Sequence, residues 1–271
     1  MLYFLVFGHL VIVLNALTFG SKNRALPKHG RVAILLRGQA FRQQWMNHVD
    51  ARSGCHDDSI PAQLKCTDSL LKHIVTPLER NFNTVEFFVV NGIDKSACPN
   101  FRNLLMPKFA KWGGAAAKEF DSKTQADNMR ATLELFKDTV GGSDYIAKWY
   151  DLIIILRHDA EWLSSITEWP TAEFDKLNLF SLCEDGFGRH QGPKENCVND
   201  ILHMMPGSLW KGFRNAVGSR LCYNPGHRRG LGHDCYRAFA RQVGEDNITF
   251  VTDWRPGVIP HFGGNGILEL M

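Results

Sequence analysis

The short motifs that announce the commoner enzyme chemistries are missing from this chain. It has no G-x-G-x-x-G, no Walker phosphate loop, no G-x-S-x-G and no H-E-x-x-H. Those absences set aside dinucleotide fingerprints, P-loop phosphate cradles, serine-hydrolase elbows and helical zinc proteases. Charge of one sign is also scarce: the net charge is only +3, with no basic stripe interleaved with aromatics, so nucleic acid is not an expected partner. There is no internal repeat and no low-complexity tract, which excludes a solenoid or a disordered tail as the organising theme.

What is present is an ordinary globular composition, 44% hydrophobic and 22% charged over 271 residues, enough for one large domain. The N-terminus departs from it. Leu2 to Phe19 is nearly all apolar, broken only by Gly8, His9, Asn15 and Thr18. A globular domain rarely starts so, and the segment reads as a targeting element. Residues 1–20 are expected to be a signal peptide, with Thr18 and Gly20 suited to cleavage before Ser21, or a membrane anchor at the lower edge of spanning length. Positive residues follow the segment rather than precede it (Lys22, Arg24, Lys28, Arg31), so both readings stay open. Residues 21–30 form a linker, and 31–271 the domain. Seven cysteines and the acceptor sequon Asn247-Ile248-Thr249 suit an oxidising lumen, in the ER or Golgi or after secretion. Cys55 with Cys66, Cys183 with Cys197 and Cys222 with Cys235 are spaced to close short loops, leaving Cys98 over, although spacing does not fix connectivity.

The chain is organised around Trp149 to Trp162. Leu152-Ile153-Ile154-Ile155-Leu156 has no polar alternation, as expected of a strand buried on both faces of a parallel sheet. Arg31 to Gly38 and Val85 to Val90 read as two more buried strands, Leu177 to Leu182 and the stretch from Asn199 to Pro206 as short ones, and Ile248 to Thr252 as a closing strand. Helical spacing marks Pro61 to Leu78, Thr124 to Val140, a helix from Ser208 and another beginning near His233. Alternating strands and helices predict an α/β fold, a Rossmann-like, mostly parallel sheet with helices on both faces, in a single domain.

Ligands of such sheets collect at the carboxyl ends of strands, and charged residues stand there. The central strand stops at Arg157-His158-Asp159, with Glu161 next but one. If the chain stays extended, Asp159 and Glu161 face the same side and could share a divalent cation; the alternative is a strand end that simply meets solvent. Arg37, Gly38 and Arg42 at the end of the first strand make a candidate anion site. Asp94 in the second exit loop could hold a ribose hydroxyl or only make a turn. Asp200 could be a turn residue or a site carboxylate. Cys222, His227, His233 and Cys235 match no common zinc spacing, and disulfide chemistry accounts better for the cysteines.

Three blocks, Arg31 to Arg42, Tyr150 to Asp159 and Val198 to Pro206, taken in that order, resemble a group of eukaryotic, often algal or protist, glycosyltransferases with a nucleotide-diphospho-sugar transferase (GT-A) fold. The resemblance spans roughly Arg31 to Val251. It implies transfer of a sugar from a nucleotide-sugar donor to a glycan or protein acceptor, with Mn²⁺ or Mg²⁺ as cofactor. Asp159 would be the last carboxylate of the D-x-D metal motif. Because Arg157 stands at its first position, the metal pair would be Asp159 and Glu161, or the contact would be single. His233 would be a further metal ligand. Arg37 would face the nucleotide, with Gly38, Arg42, Arg157 and Asp94 around it. Asp200 would be the catalytic carboxylate at the reacting sugar or the acceptor hydroxyl, deprotonating the acceptor if the reaction inverts. Metal and arginine would stabilise the charge that builds on the leaving diphosphate. The rivals are another lumenal enzyme, such as a sulfotransferase or glycan hydrolase, and a non-catalytic secreted carbohydrate- or partner-binding protein on the same scaffold.

Overall fold

A computed structural model describes residues 30–42, 55–93, 97–112, 116–121, 125–169, 171–183, 194–218, 233–251 and 268–270. The N-terminal apolar segment, Asp94 and Cys222 fall outside them. Among the described residues, no helix is long and apolar enough to cross a membrane.

The strands are β1 (Arg31–Arg37), β2 (Thr84–Ile93), β3 (Ala116–Asp121), β4 (Tyr150–Arg157), β5 (Ala160–Trp162), β6 (Leu177–Leu179), β7 (Leu182–Cys183), β8 (Lys194–Val198), β9 (Leu202–Pro206), β10 (Ile248–Phe250) and β11 (Leu268–Leu270). The helices are α1 (Ile60–Leu70), α2 (Thr76–Glu79), α3 (Met106–Phe109), α4 (Gln125–Val140), α5 (Ser143–Trp149), α6 (Trp210–Gly218) and α7 (His233–Val243). Seven strands form the main sheet in the order β10-β6-β9-β4-β1-β2-β3. All its neighbours are parallel except at β9, which runs antiparallel to both β4 and β6. The expected architecture, a Rossmann-like and mostly parallel α/β sheet in one domain, is therefore the observed one.

The apolar run of β4 lacks alternation because both its faces are covered. Leu152, Ile154 and Leu156 join Val32, Ile34 and Leu36 of β1 beneath Leu70, Ile74, Leu78, Leu105 and Phe109. Ile153 and Ile155 join Ala33 and Leu35 on the other face, beneath Met129, Leu133 and Phe136 of α4, Trp210 and Phe213 of α6, and Phe239 of α7. Period-2 alternation of strand side chains sends neighbours into opposite cores. At about 1.5–3 kcal/mol for each large apolar side chain removed from water, this burial is the main driving force for the sheet.

The predicted helix from Pro61 to Leu78 is one rod with a change of pitch. The Leu71–Val75 segment is π-helical, with the Thr76 N–H bonded to the Leu71 carbonyl. Pro77 follows at once, and its missing N–H breaks the ordinary ladder there. Several elements were not anticipated, among them β3, α5 and the short strands β5, β8 and β11. β3 is a short sheet-edge strand with exposed Ala117 and Lys118, whose charge and shortness blunt an open edge but hide its periodicity. In α5 only Ile146 is buried, so it shows no apolar stripe.

The cysteine expectation is corrected. Cys55 pairs with Cys98 across 43 residues, with Cα atoms 5.3 Å apart, and Cys66 is the free, buried thiol. Helix α1 turns Cys66 into the core at 1% exposure, so the nearest cysteine in sequence is not the one in reach. Cys235 is also disulfide-bonded, and the side chains of Cys183 and Cys197 lie outside the described set. Asn247 of the sequon is exposed, in the turn before β10.

Candidate active site at the β1–β4 switch point

From β1 the chain winds outward through β2 to β3, then returns to place β4 on the other flank of β1. This reversal leaves a crevice at the carboxyl ends of β1 and β4, where open α/β sheets bind ligands. Arg37 and Arg157 are register partners at that point.

The loop after β1 is clamped from three directions. Gly38 turns at φ 107°, a conformation glycine adopts without strain, and its carbonyl accepts the Gly92 N–H at 2.8 Å. Asn91 Oδ1 accepts the Ala40 N–H at 2.9 Å, and Gln63 Oε1 accepts the Phe41 N–H at 3.0 Å. Phe41 itself is fully buried at φ 55°, a strained backbone for a bulky residue that the surrounding contacts must hold. The turn after β4 is tied to the same frame. The His158 N–H donates to the Arg37 carbonyl at 3.2 Å, and Gln63 Nε2 donates to the His158 carbonyl at 2.9 Å. His158 Nε2 lies 3.0 Å from the Val90 carbonyl, and since a carbonyl only accepts, that nitrogen carries the proton. Burial holds the His158 imidazole down at about 4, with the Arg37 charge adding to it and Asp159 opposing.

On this frame sits a chain of alternating charges. Arg37 donates through Nη2 to the Asp200 carbonyl and, at 3.0 Å, to Asp200 Oδ2. Arg157 Nη1 donates to Asp200 Oδ1 at 3.2 Å. The rest of the Arg157 fork grips Asp159, Nε to Oδ1 at 2.8 Å and Nη2 to Oδ2 at 2.5 Å. Arg42 closes the group electrostatically beside Asp159. Burial opposes the charge on Arg157, but Asp159 and Asp200 outweigh it and hold its pKa above the ordinary value. Burial would likewise raise Asp159; Arg157, and then Arg42, keep it below the usual carboxylate range. Burial lowers Arg42, against the pull of Asp159. The cluster is layered: the Arg37 and Asp200 side chains are 1% and 5% exposed, those of Arg157 and Asp159 16% and 18%. Arg37 is therefore the floor and Arg157 the face that a solute meets.

The structure thus gathers Arg37, Gly38, Arg42, Arg157, Asp159 and Asp200. Glu161 goes elsewhere. The chain does not stay extended past Arg157 but turns at His158 and Asp159, and Glu161 then lies 2.7 Å from Lys65 of α1. It lines a separate open groove of about 640 Å³ with Pro61, Lys65, Lys72, His73 and Leu163. Its Oε2 lacks hydrogen-bond geometry to any described residue, so the contact with Lys65 is an ion pair of charge only. His233 begins α7, but its side chain, like Asp94, lies outside the described residues.

Tested against a divalent cation, the donor set does not fit. Among the described residues no group of three or more His, Cys, Asp or Glu side chains is placed to hold one. Both cluster carboxylates instead accept hydrogen bonds from guanidinium groups, whereas hard cations need several open oxygen ligands. Of the clamp residues, His158 is legible in the sequence only as part of the charged strand end, and Gln63 and Asn91 carry no signal, because a single polar residue in a helix or at a strand end has no periodic signature.

No protein-family model and no curated protein matches the chain. Among solved structures, it is similar to the apo form of the glycosyltransferase GlyE from Streptococcus pneumoniae TIGR4, at 11% identity and a TM-score of 0.40, over 80% of this chain and 44% of that one. The chain thus spans less than half the length of that protein, and likeness at this level carries no argument about activity.

Proposed function

We propose that the protein is a glycosyltransferase of GT-A type that takes a nucleotide sugar as donor and a glycan or protein hydroxyl as acceptor, working in the secretory pathway. One observation carries the reading: the three sequence blocks that bear the family resemblance, far apart in the chain, converge on one cluster. The first supplies Arg37 and Arg42, the second Arg157 and Asp159, the third Asp200. The cluster lies at the switch point of the sheet and carries more guanidinium than carboxylate, as a site for a diphosphate should.

In this reading Arg157, with Arg42, meets the donor's phosphates. Cleavage of the sugar–phosphate bond builds negative charge on the leaving diphosphate, and guanidiniums already held in place stabilise it without reorganising. Asp200 works from beneath. Its carboxylate oxygens accept from Arg37 and Arg157, so it orients the guanidiniums and is not poised to take a proton from an acceptor.

The test is release of nucleoside diphosphate from a panel of UDP- and GDP-sugars by the full chain, wild type beside Arg157→Ala. One donor should be turned over, with at least about tenfold lower activity in the variant, in keeping with loss of a charge-assisted contact. Nucleotide binding without turnover of any donor would favour the non-catalytic binding protein.

A further inference from the structure

We infer that Asp159 is not a metal ligand but an internal stand-in for phosphate: it holds the Arg157 fork until the diphosphate of a nucleoside diphosphate displaces it, without a divalent cation. The inference rests on the donor-binding reading above. The Arg157–Asp159 contact has two roughly parallel bonds, Nε to Oδ1 and Nη2 to Oδ2, the bidentate pattern by which arginine grips carboxylate and phosphate alike. A phosphate arriving from solvent finds its place taken by a carboxylate of similar shape and charge.

The pair is built for exchange. It is the outer, partly exposed layer of the cluster, at 16% and 18%, over an Arg37–Asp200 floor at 1% and 5%. Arg157 divides its donors: Nη1 stays on Asp200 while Nε and Nη2 go to Asp159. When Asp159 leaves, Arg157 keeps one anchor and its direction. The turn beneath does not have to move, because both the N–H and the carbonyl of His158 are bonded to the frame. Rotation of the Asp159 side chain alone opens the fork.

Charge points the same way. Arg37, Arg42 and Arg157 face Asp159 and Asp200, so the cluster is one charge positive, and swinging Asp159 outward makes it more so. A dianionic phosphate gains from that field, whereas a divalent cation would be repelled.

The roles predict opposite signs for one substitution. Binding of UDP and of GDP to the full chain would be measured by titration calorimetry in EDTA and in Mn²⁺, for wild type, Asp159→Asn and Arg157→Ala. One nucleotide should bind wild type in EDTA with an affinity that Mn²⁺ changes less than about twofold. Asp159→Asn should bind it about tenfold tighter, since a charged competitor is gone, and Arg157→Ala should lose binding. Binding that needs Mn²⁺, or that Asp159→Asn abolishes in a folded protein, overturns the inference while leaving the donor reading intact. No binding of either nucleotide under any condition overturns both. The comparison of EDTA with Mn²⁺ uses wild type alone, so it decides the metal question even if a variant fails to fold.

Discussion

Arg37 and Arg157 stand side by side in register at the ends of β1 and β4, and Asp200 accepts hydrogen bonds from both. Like charges on adjacent strands repel, and burial raises the cost. The arrangement survives because the turn before β9 delivers a carboxylate between them. Asp200 is 4% exposed and Arg37 1%, so little water is available to replace either partner.

Asp200→Ala should therefore destabilise the fold by about 3–5 kcal/mol, the usual effect of leaving a buried charge without its partner. Arg157→Ala should cost less, since that guanidinium is partly exposed. Urea unfolding of the two variants checks the ranking, and equal losses would contradict the layered description of the cluster.

His158 sets a pH dependence. Its folded value of about 4 lies below the ordinary 6.5, so between those values the unfolded chain binds more protons than the folded one. Stability is full above pH 6.5, falls as the pH drops toward 4, and the loss attributable to His158 levels off below that. At about 1.4 kcal/mol per pH unit the loss amounts to roughly 3 kcal/mol. Asp159, held low by Arg157 once burial is overcome, loses its contribution in a lower window, below the usual carboxylate range. Unfolding midpoints of wild type and His158→Gln from pH 7 to 4 should show a slope in the first and a flatter line in the second. Parallel lines would mean that His158 is not buried neutral.

Cys66 should be chemically silent. Burial first, then the Asp159 and Glu161 charges, push its thiol up to about 12, and only a thiolate attacks an alkylating agent. Iodoacetamide at pH 8 should leave Cys66 unmodified in the folded protein and label it once guanidinium unfolds the chain, as read by peptide mapping. Fast labelling of the native protein would contradict the burial of Cys66, and recovery of Cys66 in a disulfide with Cys55 would contradict the observed pairing of Cys55 with Cys98.

Much of the scaffold is a local matter. The unbroken Leu152–Leu156 run marks a strand covered on both faces, and the stripe Ala126, Met129, Leu133 and Phe136 marks the buried face of α4. Nearest-neighbour periodicity suffices for these, because one side chain in two or in three to four must leave water. The abrupt change from apolar to charged at Arg157 and at Arg37 likewise shows where strands end and a site can begin. Weakly patterned elements such as β3 and α5 escape this logic, since they bury too little to leave a stripe.

Local pattern alone therefore sets the alternation of strands and helices, and the charged residues at the strand ends. Which charges meet was decided only by the tertiary structure. Arg37 and Asp200 are 163 residues apart, and their contact depends on β9 pairing antiparallel beside β4. The turn after Arg157 separates the partners of Asp159 and Glu161, although the two residues are next but one in the chain. Cys98 reaches Cys55 while Cys66 is rotated inward by its helix. A contact of that kind depends on long-range closure and on side-chain direction, and neither is written in spacing.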